Sequence, residues 1–449
     1  MTISIEMPDG SLFDQKVHRE QTASSVPSKK STDINGFTPS RGQQQAFDAV
    51  ESLIRKPGPQ GLVITGYAGV GKTTMLRMLG KAFGAPTVIA PTGKAALRVS
   101  QASGLTASTA HRWLYVPIQN PKTGKMEFRP KPTSELRLPP SRLVFVDEAS
   151  MIGRSLWGEI WRAAQMHNLK VVLIGDGFQL PPVEDSKDGI TTFSTMTREF
   201  AETHNFERIE LTEIMRQAAD SAVVRASMAL RLGGMGVNAL AELPKVDRDQ
   251  LLAVCRQTRT AGGVIIAHTN TTRFRVNAAM RDGMTVEPRA GEPLLVLRNN
   301  YDLDRYNGEQ VDFDGWTIPP NEPEVVRDRY NGVEKIIHFA VAIVAGSRCV
   351  IALEQLTGSL GELGSFSVAV GAERWARAHG MVEDGRPLPF LEANYGYCYT
   401  AHKAQGSEWP YALVLLEPSV RLGDEEGRRW AYTAITRAKT MAAVFYGRP

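Results

Sequence analysis

The sequence contains little cysteine and no long run of apolar residues. Its three cysteines, Cys255, Cys349 and Cys398, are odd in number and widely spaced among 449 residues. This pattern excludes a disulfide framework and a cysteine-based metal cluster, so we expect reduced, buried thiols in a cytoplasmic protein. No apolar stretch is long enough to span a membrane, and the N-terminus lacks the features of a signal peptide. We therefore expect a soluble globular protein without a membrane partner.

A strong excess of either charge is also missing. The 52 Lys and Arg against 48 Asp and Glu give a net charge of +4, which is compatible with a nucleic-acid partner but is weak evidence for one. The length predicts two to four domains, because a chain of this size is too long for one core. Residues 1–37 are polar with few periodic apolar positions, and they predict a flexible N-terminal tail.

The most informative segment is residues 62–74, which read Leu-Val-Ile-Thr-Gly-Tyr-Ala-Gly-Val-Gly-Lys-Thr-Thr. The apolar start predicts a buried parallel strand, and the G-x-x-x-x-G-K-T pattern predicts a phosphate-binding loop that opens a helix. Lys72 would reach the β- and γ-phosphates of a nucleoside triphosphate, and Thr73 would hold Mg²⁺. The predicted phosphate-binding residues are Gly69, Gly71, Lys72, Thr73 and Thr74.

Two carboxylates follow a second apolar run. In residues 142–150 four apolar positions precede Asp147 and Glu148, where the strands of an open parallel sheet carry their ligand-binding residues. Asp147 suits a Mg²⁺ ligand, and Glu148 is placed to orient or deprotonate an attacking water. Further strands are predicted at 87–90 and 171–176, so four strands alternate with helical segments. This alternation predicts an α/β fold with a doubly wound parallel sheet.

Three more side chains could act on the γ-phosphate. Gln179 lies in Gln-Leu-Pro-Pro-Val after the strand at 171–176, where its amide can sense the γ-phosphate. Arg216 and Arg437 are candidate arginine fingers, which neutralise charge in the transition state. Taken singly, each arginine is more typical of a surface or salt-bridging residue than of an arginine finger.

The order of these motifs resembles superfamily 1 helicases, and most closely the RecD/Dda branch, whose members translocate 5′ to 3′ on single-stranded DNA. Residues 38–47 look like the adenine-recognising Q motif of that family, and Gln43 is its glutamine. The other matching segments are residues 90–96, 107–111, 146–151, 175–183, 211–216, 267–270, 399–408 and 432–439.

The resemblance implies two RecA-like domains that hold ATP and Mg²⁺ in the cleft between them. The first would comprise residues 38–207, and the second residues 208–288 and 391–449. Gln43 would contact the base, Glu408 would lie by the ribose, and Gln179 would couple the domains. Arg216 and Arg437 would come from the second domain. The implied DNA contacts are Pro91, Thr92, Lys94, Thr109 and His111 in the first domain, and Thr269, Asn270, Thr400, His402 and Lys403 in the second.

Two insertions interrupt this organisation. Within residues 112–140, two β-like runs flank an Asn-Pro-Lys-Thr-Gly-Lys turn and predict a hairpin. In related helicases a hairpin here acts as a pin at the duplex junction, a role to which Phe128 would contribute. Residues 289–390 resemble the family's SH3-like insertion, with strand candidates at 294–297, 310–313, 336–344 and 348–353.

The predicted function is an ATP-dependent DNA helicase of replication, recombination or repair, in the cytoplasm of a bacterium or phage-infected host. Its expected partners are single-stranded DNA and duplex junctions, and the resemblance allows single-strand-binding or replisome proteins as well. Two alternatives stay open, a DNA translocase that unwinds poorly and an ATP-switched loader that clamps DNA. RNA is not excluded as a track.

Overall fold

The computed structural model describes residues 5–6, 12–13, 38–84, 86–119, 126–132, 135–136, 138–182, 193–214, 221–233, 239–281, 287–320, 322–328 and 330–448. The predicted flexible tail falls mostly outside this set. Within it, β1 (Ile5–Glu6) and β2 (Leu12–Phe13) form an antiparallel pair.

A six-stranded sheet forms the centre of the first domain. Its strand order is β10-β3-β9-β8-β4-β5, with every neighbouring pair parallel. The predicted parallel sheet is therefore confirmed, with two short edge strands that no local pattern indicated. In chain order the elements are α1 (Arg41–Arg55), β3 (Gln60–Gly66), α2 (Lys72–Ala82), β4 (Thr87–Ala90), α3 (Gly93–Ser103), β5 (Ala107–Thr109), α4 (Ala110–Leu114), β6 (Tyr115–Gln119), β7 (Met126–Pro130), β8 (Leu143–Val146), α5 (Arg154–His167), β9 (Lys170–Gly175), α6 (Arg198–Thr203) and β10 (Glu207–Leu211).

The apolar runs of this sheet are buried on both faces. Leu62 and Ile64 of β3 pack into one hydrophobic cluster with α1 and α2, whereas Val63 packs into a second cluster with α5 and α6. Successive side chains of a strand point to opposite faces, so a sheet covered by helices on both sides needs continuous apolar strands. The first cluster continues into the second domain through Val414 and Trp430.

The predicted hairpin is present as the antiparallel pair β6–β7. Tyr115 lies opposite Pro130 and Gln119 opposite Met126. The turn at 120–125 lies outside the described residues, and the proposed role of Phe128 on β7 stays a prediction.

A second parallel sheet follows, with strand order β11-β24-β23-β12-β22. Its strands come from two separate parts of the chain, β11 and β12 from one and β22 to β24 from the other. The elements before the insertion are α7 (Ala222–Arg231), β11 (Lys245–Val246), α8 (Leu251–Thr260), β12 (Val264–Ala267) and α9 (Asn270–Met280).

The insertion forms an antiparallel sheet of order β18-β17-β14-β13-β21, and its last strand, β21, lies just beyond the expected end of the insertion at residue 390. The expectation of one strand over 336–344 is wrong. The strand is interrupted at His338. The backbone amide of His338 donates to Glu354 Oε2 at 2.9 Å instead of to a neighbouring strand. The SH3-like identity of this region and the domain boundaries stay predictions. Its elements are β13 (Pro293–Val296), β14 (Gln310–Ile318), β15 (Glu324–Arg327), β16 (Glu334–Ile337), β17 (Phe339–Val344), β18 (Ser347–Ala352), α10 (Leu353–Thr357), α11 (Ser365–Ala378), β19 (Val382–Glu383), β20 (Arg386–Pro387) and β21 (Ala393–Tyr395).

The chain then returns to the second sheet and ends there. The final elements are β22 (Cys398–Thr400), α12 (Ala401–Ala404), β23 (Trp409–Leu416), α13 (Glu425–Ile435) and β24 (Ala438–Tyr446). All three cysteines are buried and free, as expected. Burial raises the pKa of the Cys255 thiol to about 12. Within the described part of the chain, no helix combines the length and apolarity needed to cross a membrane.

Gly427, near the start of α13, is predicted to tolerate no side chain. A Cβ there would lie 2.0 Å from the carbonyl oxygen of Arg421, a backbone atom that cannot rotate away. We expect Gly427→Ala to lower the free energy of unfolding by about 1–3 kcal/mol in urea denaturation. Gly158→Ala is the matched control, because it lies within α5 with open space around its Cβ position and should stabilise by about 0.5–1 kcal/mol. Equal effects of the two substitutions would contradict this packing argument.

Candidate nucleotide-binding site

The glycine-rich loop after β3 has the conformation that its sequence predicts. Gly69 and Gly71 have φ values of 84° and 78°, in the left-handed region that favours glycine. Lys72 begins α2, and its Nζ donates to the carbonyls of Gly66 at 2.7 Å and Tyr67 at 3.0 Å. Thr73 follows in the first turn of the helix. The ammonium group and the helix N-terminus thus face the concave side of one loop, which suits a polyphosphate.

Gln43 lies directly against this loop. Its Oε1 accepts from the amide of Ser40 at 3.0 Å, and its Nε2 donates to the carbonyl of Gly71 at 3.4 Å. The first contact is half of a capping box at the start of α1. The predicted Q-motif glutamine therefore has a structural role in addition to any contact with a base.

The two predicted carboxylates follow β8 near the middle of the sheet. Asp147 is buried, and its burial together with the charge of Glu148 raises its pKa. Burial also acts to raise the pKa of Glu148, but the charges of Arg98, Arg437 and Lys72 outweigh it and hold that pKa below its usual value. Glu148 Oε2 is buried and has no hydrogen-bond partner among the described residues.

These residues fit a magnesium nucleotide. A buried carboxylate, Asp147, and the hydroxyl of Thr73 are oxygen donors of the kind that Mg²⁺ uses together with substrate phosphates. Gln179 Oε1 is also buried without a partner among the described residues. A buried polar atom left unsatisfied costs free energy, and a bound triphosphate with its water supplies partners for such atoms.

A helix of the second domain closes the site from the other side. The hydroxyl of Tyr432, on α13, donates to Asp176 Oδ2 at 2.5 Å and accepts from the amide of Ala68 at 3.1 Å. The next residue, Thr433, accepts from the amide of Leu180 at 3.0 Å. The loop after β9 and the phosphate-binding loop are thus both bonded to α13.

The loop that carries Gln179 is held by the second domain at further points. Gln405 Nε2 donates to the carbonyl of Leu180 at 2.8 Å, and Arg429 Nη1 donates to the carbonyl of Gly177 at 2.8 Å. Arg429 also lies over the ring of Phe178, 5.2 Å from its centroid. The prediction that Gln179 couples the domains is consistent with this geometry, although its neighbours make most of these bonds.

Arg437 lies in the cleft, and Arg216 lies outside the described residues. Arg437 is buried, with Nε donating to the carbonyl of Thr433 at 3.0 Å and Nη1 to that of Ser407 at 3.2 Å. Burial lowers its pKa, while the charges of Glu148 and Glu408 act in the opposite direction. Arg437 is therefore close enough to Glu148 to interact with it electrostatically.

Arg98 is a site residue that the sequence did not indicate. Its Nη1 lies 3.0 Å from Glu148 Oε1, and its Nη2 lies 2.8 Å from Glu408 Oε1. Glu408 also lies 3.8 Å from Lys439 Nζ. The structure thus places Glu408 in an ion pair with a first-domain arginine.

The threonines predicted to contact DNA cap helices in both domains. Thr92 caps α3 after β4, and Thr109 at the end of β5 is paired with Ala90 of β4. In the second domain Thr269 caps α9 after β12, and Thr400 at the end of β22 is paired with Ala267 of β12. Each domain thus places two threonines at the carboxyl ends of two adjacent strands, namely the edge strand β5 or β22 and its neighbour β4 or β12.

The two threonine pairs differ in one contact. Glu417 Oε1 accepts from the amide of Thr269 at 3.0 Å, and its Oε2 accepts from the Thr269 hydroxyl at 3.2 Å. A carboxylate of the chain itself therefore lies at the N-terminus of α9. In the first domain Thr92 accepts from the amide of Ala95 at 3.2 Å.

The basic residues predicted at the DNA track are partly engaged elsewhere. Lys94 Nζ lies 4.6 Å from the centroid of Trp409 and donates to the carbonyl of Gly308 at 3.5 Å. Burial lowers the pKa of Lys94 to about 8, and burial together with Arg273 lowers that of Lys403 to about 8. Among the other predicted DNA residues, Asn270, His111 and His402 are exposed, whereas Pro91 is half-buried.

Comparison with known proteins agrees with this geometry. An AAA domain family model matches residues 40–254, and a UvrD-like helicase C-terminal domain model matches residues 395–444. The ATP-dependent RecD2 DNA helicase of Deinococcus radiodurans is 28% identical over 401 residues, which cover 86% of this chain and 47% of the relative. The RecD subunit of the RecBCD enzyme of Mycolicibacterium smegmatis is 27% identical, covering 89% of this chain and 70% of the relative.

The resemblance to RecD-like superfamily 1 helicases is confirmed. The chain spans about half of the length of RecD2. The fold is similar to that of the Pif1 helicase from Bacteroides solved with ADP-AlF3 and single-stranded DNA, with a TM-score of 0.51 at 17% identity over 90% of this chain and 91% of that one. A Pif1 structure on forked double-stranded DNA gives a TM-score of 0.52 at 18% identity with the same coverage. These matches agree with two RecA-like domains.

Removal of the Tyr432 hydroxyl is predicted to weaken the interface between the domains. Tyr432→Phe would leave Asp176 Oδ2 and the amide of Ala68 without this partner in a buried place. We expect a loss of about 1–3 kcal/mol in the free energy of unfolding. Tyr446→Phe is the control, because the Tyr446 hydroxyl is buried without a hydrogen-bond partner among the described residues. A control variant as unstable as Tyr432→Phe would contradict the role of the shared hydroxyl.

Proposed function

We propose that the chain is an ATP-dependent DNA helicase that moves 5′ to 3′ on single-stranded DNA and separates duplex strands. The observation that carries this proposal is the closed cleft, in which Tyr432 of the second domain bonds to Asp176 and Ala68, and Arg98 joins Glu148 to Glu408. An ATPase whose catalytic groups come from two domains can convert hydrolysis into relative motion of those domains.

In this cleft the chain binds the triphosphate and activates water. Lys72 and the amides of the phosphate-binding loop bind the phosphate oxygens. Gln43, which lies beside this loop, contacts the nucleotide base. Mg²⁺, held by Thr73 and Asp147, would neutralise charge on the β- and γ-phosphates. Glu148 orients the attacking water and takes its proton on the unpaired Oε2. Arg437 stabilises the negative charge that develops as the phosphoryl group leaves.

Motion requires that both domains hold the same strand. The threonine hydroxyls at the carboxyl ends of adjacent strands, Thr92 and Thr109 in one domain and Thr269 and Thr400 in the other, suit sequence-independent phosphate contacts. The amides at the N-terminus of α3 add favourable partial charge for a phosphate. The exposed rings of His111 and His402 can stack on bases. If the two domains bind the strand tightly in alternation as the cleft opens and closes, the protein moves along the DNA.

The relatives support DNA as the track. RecD2 is named as an ATP-dependent DNA helicase, and the Pif1 structures contain single-stranded or forked DNA.

The two alternative functions, a loader and a translocase, make different predictions. A loader that only switches with nucleotide would not turn ATP over continuously on DNA, and a translocase would hydrolyse ATP without opening a duplex.

Loss of the catalytic side chains is predicted to stop hydrolysis. We expect Glu148→Gln to lower kcat for ATP by about 10²–10⁴-fold, because the proton acceptor is lost, with nucleotide binding retained, because Lys72 and the phosphate-binding loop are unchanged. Lys72→Ala should abolish turnover and weaken nucleotide binding. Steady-state ATPase assays with single-stranded DNA and binding of a fluorescent ATP analogue measure both effects. Glu51→Gln, at an exposed position on α1, is the control. Turnover retained in Lys72→Ala would reject the site.

Directional unwinding is predicted to depend on the β6–β7 hairpin. The protein should unwind duplexes with a 5′ single-stranded tail in the presence of ATP, and a variant with the turn at 120–125 shortened should lose unwinding. It should keep DNA-stimulated ATPase, because β6 and β7 form a sheet of their own, separate from the six-stranded sheet that carries the catalytic residues of the first domain. Gel-based unwinding assays on 5′-tailed and 3′-tailed duplexes measure this.

The same assay distinguishes the alternatives. Unwinding confined to 3′-tailed duplexes would overturn the direction of movement. Robust ATPase without unwinding of either duplex would favour the translocase. Equal loss of ATPase and unwinding on shortening the hairpin would reject its role as a pin.

A further inference from the structure

Arg98 binds carboxylates from both domains, although the cycle proposed above gives it no part. It lies on α3, the helix that Thr92 caps. Its Nη1 is 3.0 Å from Glu148 Oε1 and its Nη2 is 2.8 Å from Glu408 Oε1. The two nitrogens of a guanidinium are rigidly related, so the position of one carboxylate constrains the other.

Helix α3 contacts the second domain at a second point close by. A Cβ on Gly406 would lie 3.3 Å from Ala95 Cβ and 3.4 Å from Thr92 Oγ1. Ala95 and Arg98 are three residues apart and therefore lie on the same side of the helix. The segment from Gly406 to Glu408 thus runs beside α3, from the candidate DNA residue Thr92 to the ion pair with Arg98.

The orientation of Glu148 depends on this ion pair. Glu148 follows β8 with a φ of 50°, outside the regular geometry of a strand or helix. Its side chain is only 6% exposed, and Oε1 is bonded to Arg98 while Oε2 has no partner among the described residues. A charge-assisted hydrogen bond to one oxygen leaves the other available to a water molecule.

We propose that Arg98 is a positioning residue that orients Glu148 for hydrolysis and makes this orientation depend on the second domain through Glu408. The inference rests on the proposed ATP hydrolysis and adds a route by which DNA stimulates it. A strand held at Thr92 and beside Gly406 would fix α3 against the second domain, and so fix both carboxylates on Arg98.

Arg98→Ala and Arg98→Lys test this role in the full chain. With single-stranded DNA present, we expect Arg98→Ala to lower kcat for ATP by about 10–100-fold, with KM for ATP within about twofold of wild type. Arg98→Lys keeps the positive charge but replaces the rigid fork of two nitrogens with one flexible ammonium group, so it should keep more of the DNA-free rate and lose most of the stimulation by DNA. Arg55→Ala is the matched control, because Arg55 forms an exposed ion pair with Glu51 on α1.

A double-mutant cycle with Glu408→Gln tests the dependence on the second domain. We expect Glu408→Gln to reduce stimulation by DNA, and the double variant with Arg98→Ala to lose no more than Arg98→Ala alone, because the shared contact is already gone. If the double variant instead loses as much as the product of the two single losses in kcat, the two side chains act independently and the coupling is overturned.

The outcomes separate this inference from the proposed function. If wild type hydrolyses ATP and Arg98→Ala matches it in kcat and stimulation, only the inference is overturned. A raised KM with unchanged kcat would also overturn it, because Arg98 would then act in nucleotide binding. If Arg98→Ala does not fold, Arg98→Lys decides, and stimulation equal to wild type overturns the inference. Wild type without ATPase overturns the proposed function, and the inference falls with it.

Discussion

The contact between α13 and the loop after β9 is the constraint on which the rest of the site depends. Tyr432 shares one buried hydroxyl between Asp176 and the amide of Ala68, and Thr433 bonds to the amide of Leu180. Because a buried polar group that loses its partner is costly, these bonds favour one arrangement of the two domains. That arrangement brings Arg437 toward Glu148.

The cleft between the domains contains arginine and glutamate side chains that alternate in charge. Arg98 lies between Glu148 and Glu408, and Arg437 interacts with the same two acids. Inside a protein such groups interact more strongly than in water, and each is costly without its partners. The network therefore keeps Glu148 ionised although it is buried. It also makes the orientation of the Glu148 carboxylate sensitive to how the domains are placed.

Most of the first domain's chemistry could be predicted from local sequence. The phosphate-binding loop, the carboxylates Asp147 and Glu148 and the four central strands all follow from contiguous residue patterns. The short strands β5 and β10 have no such pattern, because their pairing is decided by neighbours distant in sequence. The single strand expected at 336–344 was wrong because a tertiary hydrogen bond from His338 to Glu354 interrupts it.

Local residue patterns are enough to show which residues can bind phosphate, where buried strands run and which family the motifs resemble. These properties are local, since backbone flexibility at Gly71 or an apolar run is set by adjacent residues. In contrast, the bridge from Arg98 to Glu148 and Glu408 and the packing of Lys94 on Trp409 become visible only in the folded chain. Such contacts join residues far apart in the chain. Their strength depends on burial and on separation in space, and neither can be read from neighbouring letters.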